Sequence, residues 1–504
     1  MQLKRYGVFL FFCLAMLAHV QAGIVLPDLL GDNMVLKQKS KVMFWGWDAP
    51  GTDIRVKAGW DGKEYAARAG ADGRWEVRLS TASAGGPYRI WVKGTDEVVL
   101  ENVMIGEVWF TSGQSNMGWT VTEERNAENV LKTAKHDRIR LFHVPRCVSD
   151  DKETAFGKKA SWKMCDAASV KDFSAMSYYF AVALQEELDV PVGIISASWA
   201  GTGIESWLSD ELQASDAELS KPLARWEGWK ESYPADSAKY AASMAAWEAR
   251  KQAGEQLPPV KKLKSVHMME RPHCKPGSLY NAMVHPCMPY TLSGFVWYQG
   301  ENSIEWSEEY AFQLQNLIES WRDGFASQVP FLVGQLTNFN YPSAERAAMV
   351  RDAQLKAEDM PGVYAICTID IGNPDDVHPD NKLPFGERFA GMALNKVYGK
   401  AFVSAAYPVA HRAKVKKGRI EVGFKRAKGL HAQGEHVNDV VLYDHEGNRL
   451  EIEKAYVDKN RLVVEAGSID GVAKVSYAVD NDVKANLYNG NGLPAFPFSL
   501  TVKQ

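Results

Sequence analysis

Hydrophobic positions along this chain follow two different rules. Between residues 23 and 105 they alternate with polar ones in short runs: KVMFWGW (41–47), DIRVKAGW (53–60), RWEVRLS (74–80) and YRIWVKG (88–94). Such alternation puts successive side chains on opposite faces of a strand. Turn signals DAPG, WDGK, GADG and AGGP separate the runs, so this region predicts a small β-sandwich. Residues 401–504 return to the same style with GRIEVGF, VVLYD, RLVVEAG and AKVSYAV, which predicts a second β-rich domain.

The middle, residues 106–400, reads differently. Its apolar runs are continuous: VWF (108–110), VGIISAS (192–198), GFVWYQG (294–300), PFLVGQL (330–336) and VYAICTID (363–370). Strands without alternation are buried on both faces, as in a parallel sheet. Amphipathic stretches, AMSYYFAVALQEEL, EEYAFQLQNLIESW and AAMVRDAQLKAED, fall between them. Strand and helix in turn predict an α/β domain. A charged, Ala-rich stretch at about 209–265 interrupts the pattern and predicts a helical insertion.

Composition narrows the class. The chain has 504 residues, enough for several domains, with a net charge of -4 and 24% charged residues. There is no basic stripe for nucleic acid and no acidic tail. The sixteen tryptophans suit either β-rich cores or stacking against sugars. At the N-terminus, Lys4 and Arg5 precede an apolar core at 7–18 and the small-residue site Val20-Gln21-Ala22. That is the pattern of a cleaved signal peptide over residues 1–22, not of a membrane span. It predicts a secreted or periplasmic protein, and no N-x-S/T sequon points to a eukaryotic route. Beyond Cys13, five cysteines remain: Cys147, Cys165, Cys274, Cys287 and Cys367. They allow one or two disulfides and leave at least one thiol free. None has zinc spacing, so no metal is expected.

Candidate chemistry collects where the central strands should end. Ligands in open α/β sheets bind beyond the carboxyl ends of strands. There the chain places Gly113-Gln114-Ser115-Asn116, then Trp199-Ala200-Gly201, then Gln299-Gly300-Glu301, then Thr337-Asn338, and finally Asp370 through His378. A serine at a strand-to-helix turn has an exposed hydroxyl, and its own N–H lies near the positive end of the helix dipole. Gly201 offers a second N–H and Gln299 a side-chain amide. His378 offers a base. Each feature alone has a plainer reading: Ser115 as a helix cap, Gly201 as a turn glycine, His378 and the acids around it as a solvated loop. Their joint position on one rim favours acyl transfer.

The strings GQSNM (113–117), SWAGTGIESW (198–207), WYQGEN (297–302), DDVHP (375–379) and NLYNGNGLPAFPF (486–498) resemble the SGNH hydrolases, and more closely their sialate O-acetylesterase branch. The resemblance covers nearly all of the chain after residue 22. It implies a flavodoxin-like three-layer α/β/α catalytic domain flanked by β-rich regions. It also implies carboxylic-ester hydrolysis without metal or organic cofactor. Carried over, Ser115 is the nucleophile and His378 the base. The Ser115 N–H, Gly201 and Gln299 form the oxyanion hole. Asp375 is the favoured triad acid; Asp376, Asp370 or a backbone carbonyl remain open. Gln114, Asn116, Trp199 and Glu301 are candidates for substrate binding, Glu301 alternatively for anchoring the Gln299 loop.

The expected substrate is an O-acetylated sialic acid. An acetylated xylan or other plant polysaccharide is the alternative, because a catalytic serine senses only the ester. A carbohydrate-binding protein without catalysis is the alternative of another class. An anionic sugar would call for an Arg or Lys near Ser115, and the sequence alone does not place one.

Overall fold

The computed structural model of the protein describes residues 23–401 and 404–503. The expected signal peptide lies outside the described residues. Among them, no helix is long and apolar enough to cross a membrane.

The centre is a parallel sheet of six strands: β1 (Glu97–Gly113), β2 (His136–His143), β3 (Val192–Ser198), β4 (Gly294–Tyr298), β5 (Phe331–Gly334) and β6 (Val363–Ile366). Their order is β6-β5-β4-β1-β3-β2, and all five neighbouring pairs run parallel. Every residue of β3, β4 and β5 is buried, which is why their sequences show no alternation. Phe110, Phe295, Trp297 and Phe331 pack into one core, with helices α4 (Ser307–Gly324) and α5 (Ala344–Lys356) among the elements that close it. Trp109, Ile194, Val296 and Leu332 pack into another, against α2 (Ala175–Leu188) and α6 (Leu383–Lys396). Each such large apolar side chain contributes roughly 1.5–3 kcal/mol on burial. The expected insertion contains α3 (Lys221–Gln252), a 32-residue helix that buries only Pro222 and Trp226.

Two features differ from the sequence expectation. The β2 segment HDRIRLFH was not among the expected strands, because its polar half hides a short buried run at Ile139–Phe142. Nor does the chain break near residue 105. β1 is one continuous strand of 17 residues. Its first part pairs with the N-terminal strand Gly85–Lys93, and its second part pairs with β3 and β4. The N-terminal β region is therefore welded to the central sheet through a shared strand. The C-terminal region forms an eight-stranded sheet. Its NLYNGN stretch docks on the central region, where the Tyr488 hydroxyl donates to Asp370 (3.1 Å), and Asn489 anchors the stretch within its own region on the Ala406 carbonyl (2.7 Å).

Register fixes the functional edge. Ser198 and Tyr298 both lie opposite Gly113, so β1, β3 and β4 end at one level. Their following loops must share one rim.

Candidate active site

Ser115 opens α1 (Ser115–Gly118), the short helix directly after β1, and is half-buried. The turn before it is tight. Gly113 has φ +150°, and a β-carbon there would collide with the Tyr298 carbonyl oxygen. The first N–H groups of a helix have no intrahelical acceptor, and the Ser115 N–H has no acceptor among the described hydrogen bonds. Across β3, Gly201 has φ +71°, a conformation that favours glycine. Its N–H has no acceptor among the described hydrogen bonds.

Asn116 ties the site together from behind. It is 1% exposed. Its amide donates to Glu301 Oε1 (2.5 Å) and to the Val377 carbonyl (2.9 Å), and its Oδ1 accepts from Lys382 Nζ (2.6 Å). One side chain thus joins the serine turn, the loop after β4 and the residue before His378. Lys382 has no exposed surface and lies over the rings of Trp119 and Phe385. Burial holds its ammonium down to about 7, with Glu301 opposing the shift. Burial likewise raises the Glu301 carboxyl, and the bond from Asn116 opposes that.

His378 stacks on Trp119, with ring centroids 5.2 Å apart and planes 24° apart. Burial and then the nearby Lys382 lower its pKa, against Asp376 and Glu123. It is thereby kept neutral at neutral pH, as a base requires. The acid beside it is Asp376. Asp376 Oδ1 accepts from the His378 N–H (2.8 Å) and lies 3.9 Å from its Nδ1. The favoured Asp375 is not placed there. Both acids are exposed, but the Asp375 N–H bonds to Asn373 in a local turn (3.0 Å) and its carboxylate makes no described contact with His378. Asp370 is excluded too, because Arg388 grips both its oxygens at 2.6 and 2.7 Å.

Other expectations also change. Gln299 is fully buried, and its amide nitrogen is committed to Gln114 Oε1 (3.1 Å), the Thr202 carbonyl (3.2 Å) and Ser303 Oγ (3.0 Å). An NH₂ group carries two hydrogens, so this amide is not a free oxyanion donor; it braces the residue next to Gly201. Gln114 is 3% exposed, and its Oε1 also faces the Gly300 and Asn302 N–H groups. Gln114, Asn116 and Glu301 therefore build the wall behind the serine instead of meeting substrate. Trp199 does reach the surface. Its half-buried ring lies parallel to His273, 4.7 Å away and 1° off.

Trp119, Lys382, His273, Arg146 and Arg271 were not among the sequence candidates. Trp119 and Lys382 stand within four residues of Ser115 and His378, so proximity alone was a signal for them. All five described cysteines are free, four of them buried, so the possible disulfides are not formed.

A serine turn, a neutral histidine and an unpaired N–H on one rim of a parallel sheet define an esterase-type α/β protein. Comparison with known proteins is more specific. The family described as carbohydrate esterase, sialic acid-specific acetylesterase, matches residues 238–395. The mouse sialate O-acetylesterase is 26% identical over 436 residues, covering 78% of this chain and 77% of the relative. The rat sialate O-acetylesterase is 25% identical over 75% of this chain and 74% of its own. The crystal structure of a carbohydrate acetylesterase from Xanthomonas citri superposes with a TM-score of 0.79 at 29% identity, over 95% of this chain and 99% of that one. By these matches the chain is similar to the sialate O-acetylesterases, and they support carbohydrate O-acetylesterase activity.

Proposed function

We propose that the protein is a carbohydrate O-acetylesterase that removes O-acetyl groups from sialic acids by two-step serine acyl transfer. The observation that carries this reading is the Asn116 bridge, which locks the Ser115 turn to the His378 loop. We read the central sheet with its two helical cores as the SGNH-type three-layer arrangement, and the N-terminus as an export signal.

In the first step the Ser115 oxygen attacks the acetyl carbonyl carbon, and His378 takes the hydroxyl proton. The Ser115 and Gly201 N–H groups receive the oxyanion. Donors of this kind are each worth about 2.7–4 kcal/mol of barrier. Gln299 acts indirectly, holding the Thr202 carbonyl and so the Gly201 turn. The ester C–O bond breaks, and His378 returns the proton to the departing sugar oxygen. Water then attacks the acetyl-serine, again deprotonated by His378, and frees acetate. Asp376 orients the imidazole. Its 3.9 Å separation is beyond hydrogen-bond range, and such contacts tighten in the reacting complex.

Trp199 and His273 give a second reading some footing. A flat, uncharged stacked pair suits a neutral polysaccharide as well, so an acetylated plant glycan is the alternative substrate. Acetate release from 9-O-acetylated sialic acid and from acetylated xylo-oligosaccharides, with Ser115→Ala as the blank, tests both. Serine-dependent release from the sialic acid is expected. Serine-dependent release from the xylo-oligosaccharides alone moves the substrate to plant glycans. Release that persists in Ser115→Ala contradicts the mechanism.

A further inference from the structure

Two guanidinium groups flank the Gly201 side of the site, and neither has a carboxylate within ion-pair distance among the described residues. Arg146 lies on the exposed loop after β2, and its Nε donates to the Ser198 carbonyl (3.1 Å) at the end of β3. Its Nη2 lies beside Gly118, the last residue of the serine helix. Arg271 lies at Gly201 itself. A β-carbon at Gly201 would collide with its Nη2. Its one described side-chain partner is another base, His267, 3.0 Å away.

The supports of the two arginines are built, not incidental. The Cys274 thiol donates to the Gly201 carbonyl (3.2 Å), and the Cys274 N–H to the Arg271 carbonyl (2.8 Å). This pins the Arg271 segment on the turn. Lys275 pairs with Asp150 (2.5 Å), and Asn281 donates to the Asp150 carbonyl (3.1 Å), which ties that segment to the loop carrying Arg146. Lys275, one residue past Cys274, is thus paired, while neither arginine has an ion pair among the described residues. His273 is within electrostatic reach of both. Burial, then Arg271 and Arg146, hold it down to about 4, so it adds no charge and keeps its flat face for Trp199.

Unpaired arginines cost electrostatic repulsion unless an anion joins them. A planar guanidinium matches a carboxylate in charge and shape. Arg146 spends only its Nε on the rim backbone, at the Ser198 carbonyl. We infer that Arg146 and Arg271 form a subsite for the carboxylate of an acidic sugar, with Trp199 and His273 as the stacking floor beside it. This rests on the esterase reading and deepens it, because it selects acidic over neutral acetylated glycans. A sugar carboxylate comes from either a sialic acid or a uronic acid, and the test separates the two.

The experiment compares kcat/KM of the full chain for 9-O-acetyl-N-acetylneuraminic acid and for the same sugar with its carboxylate converted to the amide. A second pair is an acetylated xylo-oligosaccharide bearing glucuronic acid and its carboxyl-reduced form. The acid form of at least one pair should exceed its neutral form by about tenfold to a hundredfold, the range of a charge-assisted pair. Whichever pair shows the ratio identifies the sugar. In Arg146→Gln/Arg271→Gln the ratio should collapse towards one. A ratio near one for both pairs in the native sequence overturns the subsite, as does a ratio that survives in the double variant.

A binding arm needs neither turnover nor an arginine variant. Calorimetric titration of Ser115→Ala with N-acetylneuraminic acid, its amide, glucuronic acid and its amide should show tighter binding of an acid. Equal binding within both pairs overturns the subsite. Tighter acid binding by a protein that releases no acetate keeps the subsite and removes the esterase reading, so the two failures are distinguishable.

Discussion

The wall behind Ser115 and the rim in front of it are built from opposite materials. Behind, Gln114, Asn116, Gln299 and Lys382 are 3% exposed or less, and each is held by at least one internal hydrogen bond. In front, Trp199, His273, Arg146 and Arg271 reach solvent, and the two arginines have no acid partner. The wall is a preorganised frame, in which buried polar groups are costly unless satisfied. The rim is the recognition surface we propose. The lesson is that the residues adjoining the nucleophile in sequence are mostly structural. Those proposed to meet substrate come from loops far along the chain.

Breaking the wall should cost most. Asn116→Leu keeps the volume but removes the bridge among Glu301, Lys382 and Val377, leaving two buried ionisable groups unpaired. Loss on the order of 3 kcal/mol of stability is expected, read as a lowered unfolding temperature, together with a collapse of kcat. Unchanged stability and kcat would show that the wall does not position the site.

The acids beside His378 come next. Asp376→Asn should lower kcat by about tenfold or more, the lower end of what orientation of a catalytic histidine contributes, because Asp376 is partly solvated. Asp375→Asn should change kcat by less than about twofold, because its carboxylate makes no described contact with His378. The reverse order would return the role to Asp375.

The finest test concerns Lys382. Its ammonium faces His378 and lowers that histidine's pKa, against the carboxylates of Asp376 and Glu123. A lowered base pKa keeps the imidazole neutral to lower pH. Lys382→Met removes the positive charge, so the His378 pKa rises and activity is lost at a higher pH on the acid side. The acidic limb of the kcat/KM profile should therefore move upward in pH. A limb that stays in place would mean the lysine serves only Asn116.

Much of this was legible beforehand. Strands such as VGIISAS and GFVWY carry their double-sided burial in the residues themselves, and the strand-end rule brought Ser115, Gly201 and His378 to one rim. What stayed hidden has physical causes. Residues 97–113 change from edge strand to central strand midway, so their pattern reads as two regions. Lys382 in HPDNK looks like a solvated loop lysine, and only packing against Trp119 and Phe385 reveals it as buried. Gln299 was assigned to the oxyanion because its side chain is a donor, but the Thr202 carbonyl claims that donor in three dimensions. Arg146 and Arg271 carry no local signal, since their meaning lies in facing one turn from two loops.

The central claim is that Ser115 is the acylated residue. Treating the protein with a serine-directed organophosphate and locating the adduct by peptide mass spectrometry tests it directly. The account predicts one adduct, on Ser115, forming in step with loss of acetate release and absent from Ser115→Ala. Loss of acetate release with the adduct on another residue, or the same adduct pattern in Ser115→Ala, would contradict it.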